Sequence, residues 1–292
     1  MRITSDRLLA PTSIPSHIAF SRNVRIDSNV LRRKKSEEDE EELAKKLVAL
    51  LKISFPTALS FLGYPETSIV TRCLASISEL TSLKKLDVSS CDISDSGLKQ
   101  LGRLTGLENL NISCNGNISD AGLEHLVCLT GLVKINVSGC DISDAGLKHI
   151  GLLTGLVNLN VSYNRKISGT GIQHLRYLTG LKKLNISTCD ITDAGLQHLG
   201  CLTGLQSLNV SECDISDAGL KHIGRLTGLM DLDVSTNKIS DSGLQHLRYL
   251  TNLKNLYVQE CELSDDGLDH ILNLTALISV DISYNRNISN AG

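Results

Sequence analysis

The chain has 292 residues, with 29 basic and 32 acidic side chains and a formal net charge of −3. So even a balance gives no general attraction to nucleic acid or to a membrane surface. Only 3% of residues are aromatic and Trp is absent, whereas 41% are hydrophobic and 50 are Leu. The core must therefore be filled by small side chains stacked in a regular way, which argues against a compact mixed-core enzyme domain.

No apolar run approaches the roughly 18 residues of a membrane-spanning helix, so no membrane insertion is expected. The segment from Met1 to Phe20 is broken by Asp6, Arg7, Pro11 and Pro15 and has no apolar core of secretory-signal length. An intracellular chain is expected, cytoplasmic rather than nuclear. The nine cysteines are odd in number and accompany no secretion signal, so a disulfide framework is not predicted.

Residues 1–42 lack periodicity, and Arg32-Arg33-Lys34-Lys35 stands beside the acidic run from Glu37 to Glu42. A disordered charged tail, or the start of a charged helix, is expected there. Residues 43–79 read as a helical N-terminal cap: Leu43, Leu47, Leu50 and Leu51 follow helical spacing, as do Ile69, Val70, Cys73, Leu74 and Ile77. Within it, Phe55-Pro56, the Leu59-Ser60-Phe61-Leu62 run read as a helix end, and the apolar stretch around Val70 and Cys73 resemble an F-box, although the usual Trp is missing. That resemblance implies a ubiquitin-ligase subunit as a partner.

Residues 80–292 form an array of about nine units that start at Leu80, Leu104, Leu129, Leu153, Leu178, Leu202, Leu226, Leu250 and Leu274. A period of 24–25 residues is the mark of a solenoid, whose single unit cannot bury its own apolar face. In the unit Leu129–Leu152, Leu132, Ile135 and Val137 alternate as a short strand, Ser143 is a good N-cap, and Asp144 suits the positive end of a short helix that buries Leu147 and Ile150. The predicted architecture is α/β: a curved stack with a parallel sheet on its concave side and short helices or 3₁₀ segments on its convex side. The last unit stops within its helix segment with no polar cap following, so a truncated chain is expected, the alternative being a partner that covers the edge.

The pattern L-x-x-L-x-V-S-x-C-x-I-S-D-x-G-L resembles a leucine-rich repeat. Its Cys91, Cys140, Cys189, Cys213 and Cys261 resemble the cysteine-containing subclass common in F-box proteins, and the 24-residue period also resembles bacterial repeat arrays. These cysteines share a column with Asn115, Asn164, Asn237 and Asn285, which the resemblance turns inward as a structural ladder. Cys128 and Cys201, in another column, are expected to be packing residues.

A further column holds His125, His149, His174, His198, His222, His246 and His270. It could form a metal-binding or pH-sensing stripe. The reading preferred is that one unit was copied and that each ring bonds a carbonyl near its helix end. The Asn-x-Ser/Thr matches fall mostly inside predicted strands and read as by-products of the repeat. No metal, cofactor, nucleophile–base set or phosphate loop is predicted, so the chain is not expected to be an enzyme.

On the exposed sheet face, Lys85, Lys134 and Lys183 make a basic file. Further along stand Tyr163, Glu212, Asp231, Asp233, Tyr257, Glu260, Asp281 and Tyr284. Exposed rings and charges on a rigid sheet are good contact anchors. The expected function is a non-catalytic scaffold holding a protein or peptide, without nucleic acid, centred on Tyr257, Glu260 and Tyr284. Two other readings are an F-box-like substrate adaptor and the regulatory subunit of a separate enzyme.

Overall fold

The computed structural model describes residues 2–3, 23–27, 37–54, 56–62 and 68–289, in two units, Met1–Asp141 and Ile142–Gly292. The N-terminal unit contains β1 (Arg2–Ile3), β2 (Asn23–Asp27), α1 (Glu37–Ser54), β3 (Ala58–Leu62), α2 (Ser68–Ile77), β4 (Lys85–Asp87), α3 (Asp95–Leu101), β5 (Asn109–Asn111), α4 (Asp120–Glu124) and β6 (Lys134–Asn136). Its strands lie in chain order in a parallel sheet.

The C-terminal unit opens with α5 (Asp144–Ile150), β7 (Asn158–Asn160) and α6 (Gly169–Ile172). It continues through β8 (Lys183–Asn185), α7 (Asp193–Leu196), β9 (Ser207–Asn209), α8 (Asp217–Ile223), β10 (Asp231–Asp233), α9 (Asp241–Leu244), β11 (Asn255–Tyr257), α10 (Asp265–Leu272) and β12 (Ser279–Asp281). Short 3₁₀ segments, Gln173–Tyr177, Gln197–Cys201 and Gln245–Tyr249, extend α6, α7 and α9. Strands β7 to β12 are again parallel and in chain order. Within each unit the coils stack as a leucine-rich repeat solenoid.

Each coil buries the residues that its period singles out. In one, Leu83, Leu86, Val88, Ile93, Leu98 and Leu101 are all buried; three coils on, Leu156, Leu159, Val161, Ile167, Ile172 and Leu175 take the same places. Apolar burial at about 25 cal/mol per Å² makes this shared core the main stabilising term, and each coil supplies one wall of its neighbour's.

The start of the chain departs from the expected disordered tail and helical cap. Residues 23–27 form a strand within the stretch expected to lack one, while the alternative of a charged helix start is met by the helix that begins at Glu37. The Leu59-Ser60-Phe61-Leu62 run, read as a helix end on the F-box resemblance, lies in strand β3, which pairs Leu59 with Leu86 on one side and Val24 on the other. An unpaired β4 would leave a row of backbone N–H and C=O groups open, and adding strands satisfies them where helices alone would not. Helix α2 still buries Val70, Cys73, Leu74 and Ile77, and α1 buries Ala44, Leu47 and Leu51; Arg72 joins Glu41 at 3.2 Å.

Candidate functional site

Strand ends are set by an Asx turn that recurs coil by coil. The Oδ1 atoms of Asp87, Asn111, Asn136, Asn160, Asn185, Asn209, Asp233 and Asp281 accept from the backbone N–H two residues on, at 2.9–3.2 Å. This polar column on the sheet face therefore terminates strands, the local role for which Asn and Asp side chains are suited. In the coil of β11 the device is replaced: Tyr257 stands where the others have Asn or Asp, and the Gln259 N–H turns to the Ser235 hydroxyl at 3.2 Å. Tyr257 lies in register between Asp233 and Asp281.

The flanking column of Ser90, Cys114, Gly139, Tyr163, Thr188, Glu212, Thr236, Glu260 and Tyr284 differs from the expectation that strand alternation carries it along the sheet. All nine have φ between +49° and +62°. They form the left-handed corner just past the strand, a conformation comfortable for Gly139 and strained for the rest. The corner tips Tyr163, Tyr284, Glu212 and Glu260 into solvent, with the two rings 61% and 79% exposed, while Thr188 is buried.

Tyr257 is 39% exposed. Asp233 and Asp281 are half-buried and held by amides: Asn209 Nδ2 donates to Asp233 at 3.0 Å and Gln259 Nε2 donates to Asp281. Asn255 similarly holds half-buried Asp231. The hydrogen bonds of Ser283, then that of Gln259, keep the Asp281 carboxyl below its ordinary range. The C-terminal unit thus brings Asp233, Tyr257, Asp281, Glu260 and Tyr284 onto consecutive coils, with Glu212 and Asp231 beside them. Lys85 and Lys134 are exposed two strands apart in the N-terminal unit; Lys183 is exposed in the other unit, in register with Ser207 and then Asp231.

Two internal ladders hold these coils. Asn115 Oδ1 accepts from the N–H groups of Cys91 and Ile93 at 2.9 Å, and its Nδ2 donates to Val88, Ile112 and Ser113 carbonyls at 2.8–3.2 Å. Asn285 repeats the pattern, and Asn237 does so with a single N–H, that of Ile215, at its Oδ1. The thiols of Cys140, Cys189, Cys213 and Cys261 reach only carbonyls of the neighbouring coil or their own, at 3.4–3.9 Å. Burial pushes the Cys91 thiol, aided by Asp87, and the Cys189 thiol up to about 12, and those of Cys73, Cys140 and Cys213 up to about 11, so these groups stay protonated and unreactive.

The second ladder was not read from the sequence. Asp95, Asp144, Asp193, Asp217, Asp241 and Asp265 each accept twice from one serine of the next coil, at its N–H and its hydroxyl, with all distances 2.6–2.9 Å. Burial raises the Asp144 and Asp217 carboxyls, but hydrogen bonds from Thr170 and Ser168, and from Ser240 and Ser242, outweigh it and hold both below the ordinary range. A glycine two residues after the helix start makes room: a Cβ on Gly122, Gly171, Gly219, Gly243 or Gly267 would collide with the preceding coil's carboxylate.

Two other expectations are corrected. Cys128 and Cys201 are exposed, not packed, and their thiols reach carbonyls at the helix ends. The seven histidines are half-buried in one column, but among the described residues no imidazole bonds a helix-end carbonyl. Nor do any three His, Cys, Asp or Glu side chains of the described residues gather as a metal site. Among those residues no helix is long and apolar enough to cross a membrane.

A family model described as "Leucine Rich repeat" matches residues 79–102, 105–127, 130–151, 177–200, 202–224 and 227–247, so the chain carries leucine-rich repeats. No curated protein matches it. Among solved structures it is similar to an internalin (inlF) from Listeria monocytogenes, with 25% identity over 91% of this chain and 74% of that one and a TM-score of 0.62. It is also similar in fold to TLR13 in a complex with ssRNA13, with 21% identity, 91% of this chain covered and a TM-score of 0.59; the match spans 36% of the TLR13 chain.

Proposed function

We propose that the chain is a non-catalytic scaffold that holds a protein or peptide on the exposed sheet face of its C-terminal unit, centred on Tyr257, Glu260 and Tyr284. Leucine-rich repeat folds commonly serve as protein-binding scaffolds, and a fold alone does not select the partner. The observation that carries this placement is the coil of β11. It gives up the Asx turn that closes its neighbours and puts an exposed ring between two carboxylates in register. Departure from a structural rule at an exposed aromatic is the signature of a contact anchor.

Asp233, Asp281, Glu212 and Glu260 surround the rings, so a partner segment with Arg or Lys fits best, its aliphatic stem on Tyr and its charge at the carboxylates. Lys183, exposed on the sheet of the same unit, provides opposite charge and would favour one direction of docking. The ubiquitin-ligase adaptor reading loses support, because the L-S-F-L run that suggested it is a strand. Affinity purification of the full chain with mass spectrometry tests the proposal. A protein recovered with the parent and lost with Tyr257→Ala, Glu260→Ala and Tyr284→Ala combined supports it; equal recovery with both overturns the placement. An enzyme recovered in stoichiometric amount would identify the regulatory-subunit reading, and a ubiquitin-ligase subunit the adaptor reading.

A further inference from the structure

We infer that the helical side of the C-terminal unit carries a second docking surface, for an acidic peptide segment, built around two Arg–Tyr pairs. The block Gln-His-Leu-Arg-Tyr-Leu-Thr occurs at 173–179 and again at 245–251. In both places the arginine Nη2 donates to the adjacent tyrosine hydroxyl at 2.6 Å, with its guanidinium carbon over the ring at 4.7 Å for Arg176 and 4.6 Å for Arg248. Tyr177 and Tyr249 are 56% and 57% exposed.

The two pairs are three coils apart, and the coils between them have no such wall. The 3₁₀ segment Gln173–Tyr177 packs beside Gln197–Cys201, that segment beside α8, and α8 beside Gln245–Tyr249. Where the pairs have arginine, the intervening coils have Gly200, where a Cβ would stand in open space, and Gly224, buried against the His246 carbonyl. A low floor thus lies between two raised posts, with Arg225 on it where the posts have tyrosine.

The charge of this strip has one sign. The four segments 170–182, 194–206, 218–230 and 242–254 contain Arg176, Lys182, Lys221, Arg225, Arg248 and Lys254, six cations, and no Asp or Glu. The next coil ends the strip with Asp266 and Asp269. Among the described residues none of the six forms a salt bridge; Lys182 donates to the Gly204 carbonyl. The nearest carboxylates, of Asp193, Asp217 and Asp241, are committed to serines of the next coil.

An acidic peptide fits this surface better than a nucleic acid does. Each tyrosine has one face covered by its own guanidinium, which leaves at most one face for a base to stack on. What remains is a pair of arginine forks, each oriented by a phenol, the geometry that takes a carboxylate through two parallel hydrogen bonds. Three coils span about 14 Å at the strand spacing of about 4.8 Å and more on the wider helical side, so an extended segment needs at least five residues, at about 3.3 Å each, to cover them. Carboxylates at the two ends of such a segment would reach both posts, and one between them would meet Arg225.

The test is fluorescence anisotropy of the full chain with a labelled octaglutamate peptide at low salt, with octauridylate as the competing probe. Octaglutamate is expected to bind, to weaken about tenfold in the Arg176→Gln/Arg248→Gln double variant, and to weaken less with lysine at both positions, which keeps charge and loses the fork. Tyr177→Phe/Tyr249→Phe should cost about threefold. Lys45→Gln/Lys46→Gln, exposed on helix α1, should bind as the parent does. Equal binding by the arginine variant and the parent, or tighter binding of octauridylate than of octaglutamate, would overturn the inference.

Discussion

Asp144 and Ser168, 24 residues apart, are joined by two hydrogen bonds, from the Ser168 N–H to Oδ1 and from its hydroxyl to Oδ2, both at 2.7 Å. One carboxylate thereby ties a helix start to the turn before the next helix. The same link recurs from Asp95 to Asp265 and is broken at Gly169, which leaves the Thr192 N-cap in the next coil without a carboxylate.

Asp217→Ala should cost about 1–2 kcal/mol in urea unfolding, the scale of losing charge-assisted bonds at a half-buried site. Gly243→Ala should also destabilise, because the new methyl would meet the Asp217 carboxylate and Leu220. The two changes should be non-additive: with Asp217 shortened, the methyl at 243 has room, and the double variant should be more stable than the sum of the singles implies. Simple additivity would contradict the link.

The two kinds of ladder residue should differ in cost. Asn115→Ala removes an amide that serves two N–H groups and three carbonyls of buried backbone, and about 3 kcal/mol or more of stability should go with it. Cys140→Ala removes a small apolar body and long thiol contacts, and about 1–2 kcal/mol should be lost. Chemical denaturation of both variants gives the comparison.

Stability should fall at both ends of the pH scale, for different groups. The buried thiols have folded values above their ordinary 9.0, so their contribution is full below about pH 9 and is lost as pH rises toward 11–12. Cys189→Ala should reduce the loss between pH 8 and 10.5. Asp144 and Asp217 have lowered values, so their contribution is present above the carboxylate range and disappears as pH falls below about 4. Burial, then Arg225, with Lys221 adding, lowers the His222 value against the pull of Asp193. Folding therefore loses stability as pH drops through the imidazole's ordinary 6.5, and His222→Gln should flatten that part of the profile.

At the left-handed corner, Thr236 has φ +55° and is exposed. A β-branched residue there is strained, so Thr236→Gly should stabilise the protein by about 1 kcal/mol despite the added flexibility of the unfolded chain. Gly139→Val, at φ +61°, should destabilise it by at least as much. Thermal melts of both give the signs.

The period and the inward columns were legible because apolar spacing repeats in every coil: Leu83, Leu86 and Val88 in one are Leu156, Leu159 and Val161 in another. Strand β3 was not, since Ala58–Leu62 is short and apolar enough for either structure and only pairing with Lys85–Asp87 decides it. The flanking residues of the site were assigned by extending strand alternation past Asp87 and its equivalents, where the Asx turn ends the strand; Gly139 in that column was the available signal. The Asp–Ser link joins residues a full coil apart, beyond what spacing within a unit can reveal. The recurring glycine of the D-x-G segments, as at Gly122, Gly219, Gly243 and Gly267, was the trace of the crowding it relieves.

The binding face is tested most directly by titrating the purified full chain with the protein it retains, comparing the parent with the Tyr257→Ala/Glu260→Ala/Tyr284→Ala variant at equal thermal stability. Loss of three central contacts should raise the dissociation constant at least about a hundredfold, or about 3 kcal/mol. An unchanged constant in a variant that melts like the parent would contradict the placement of the site.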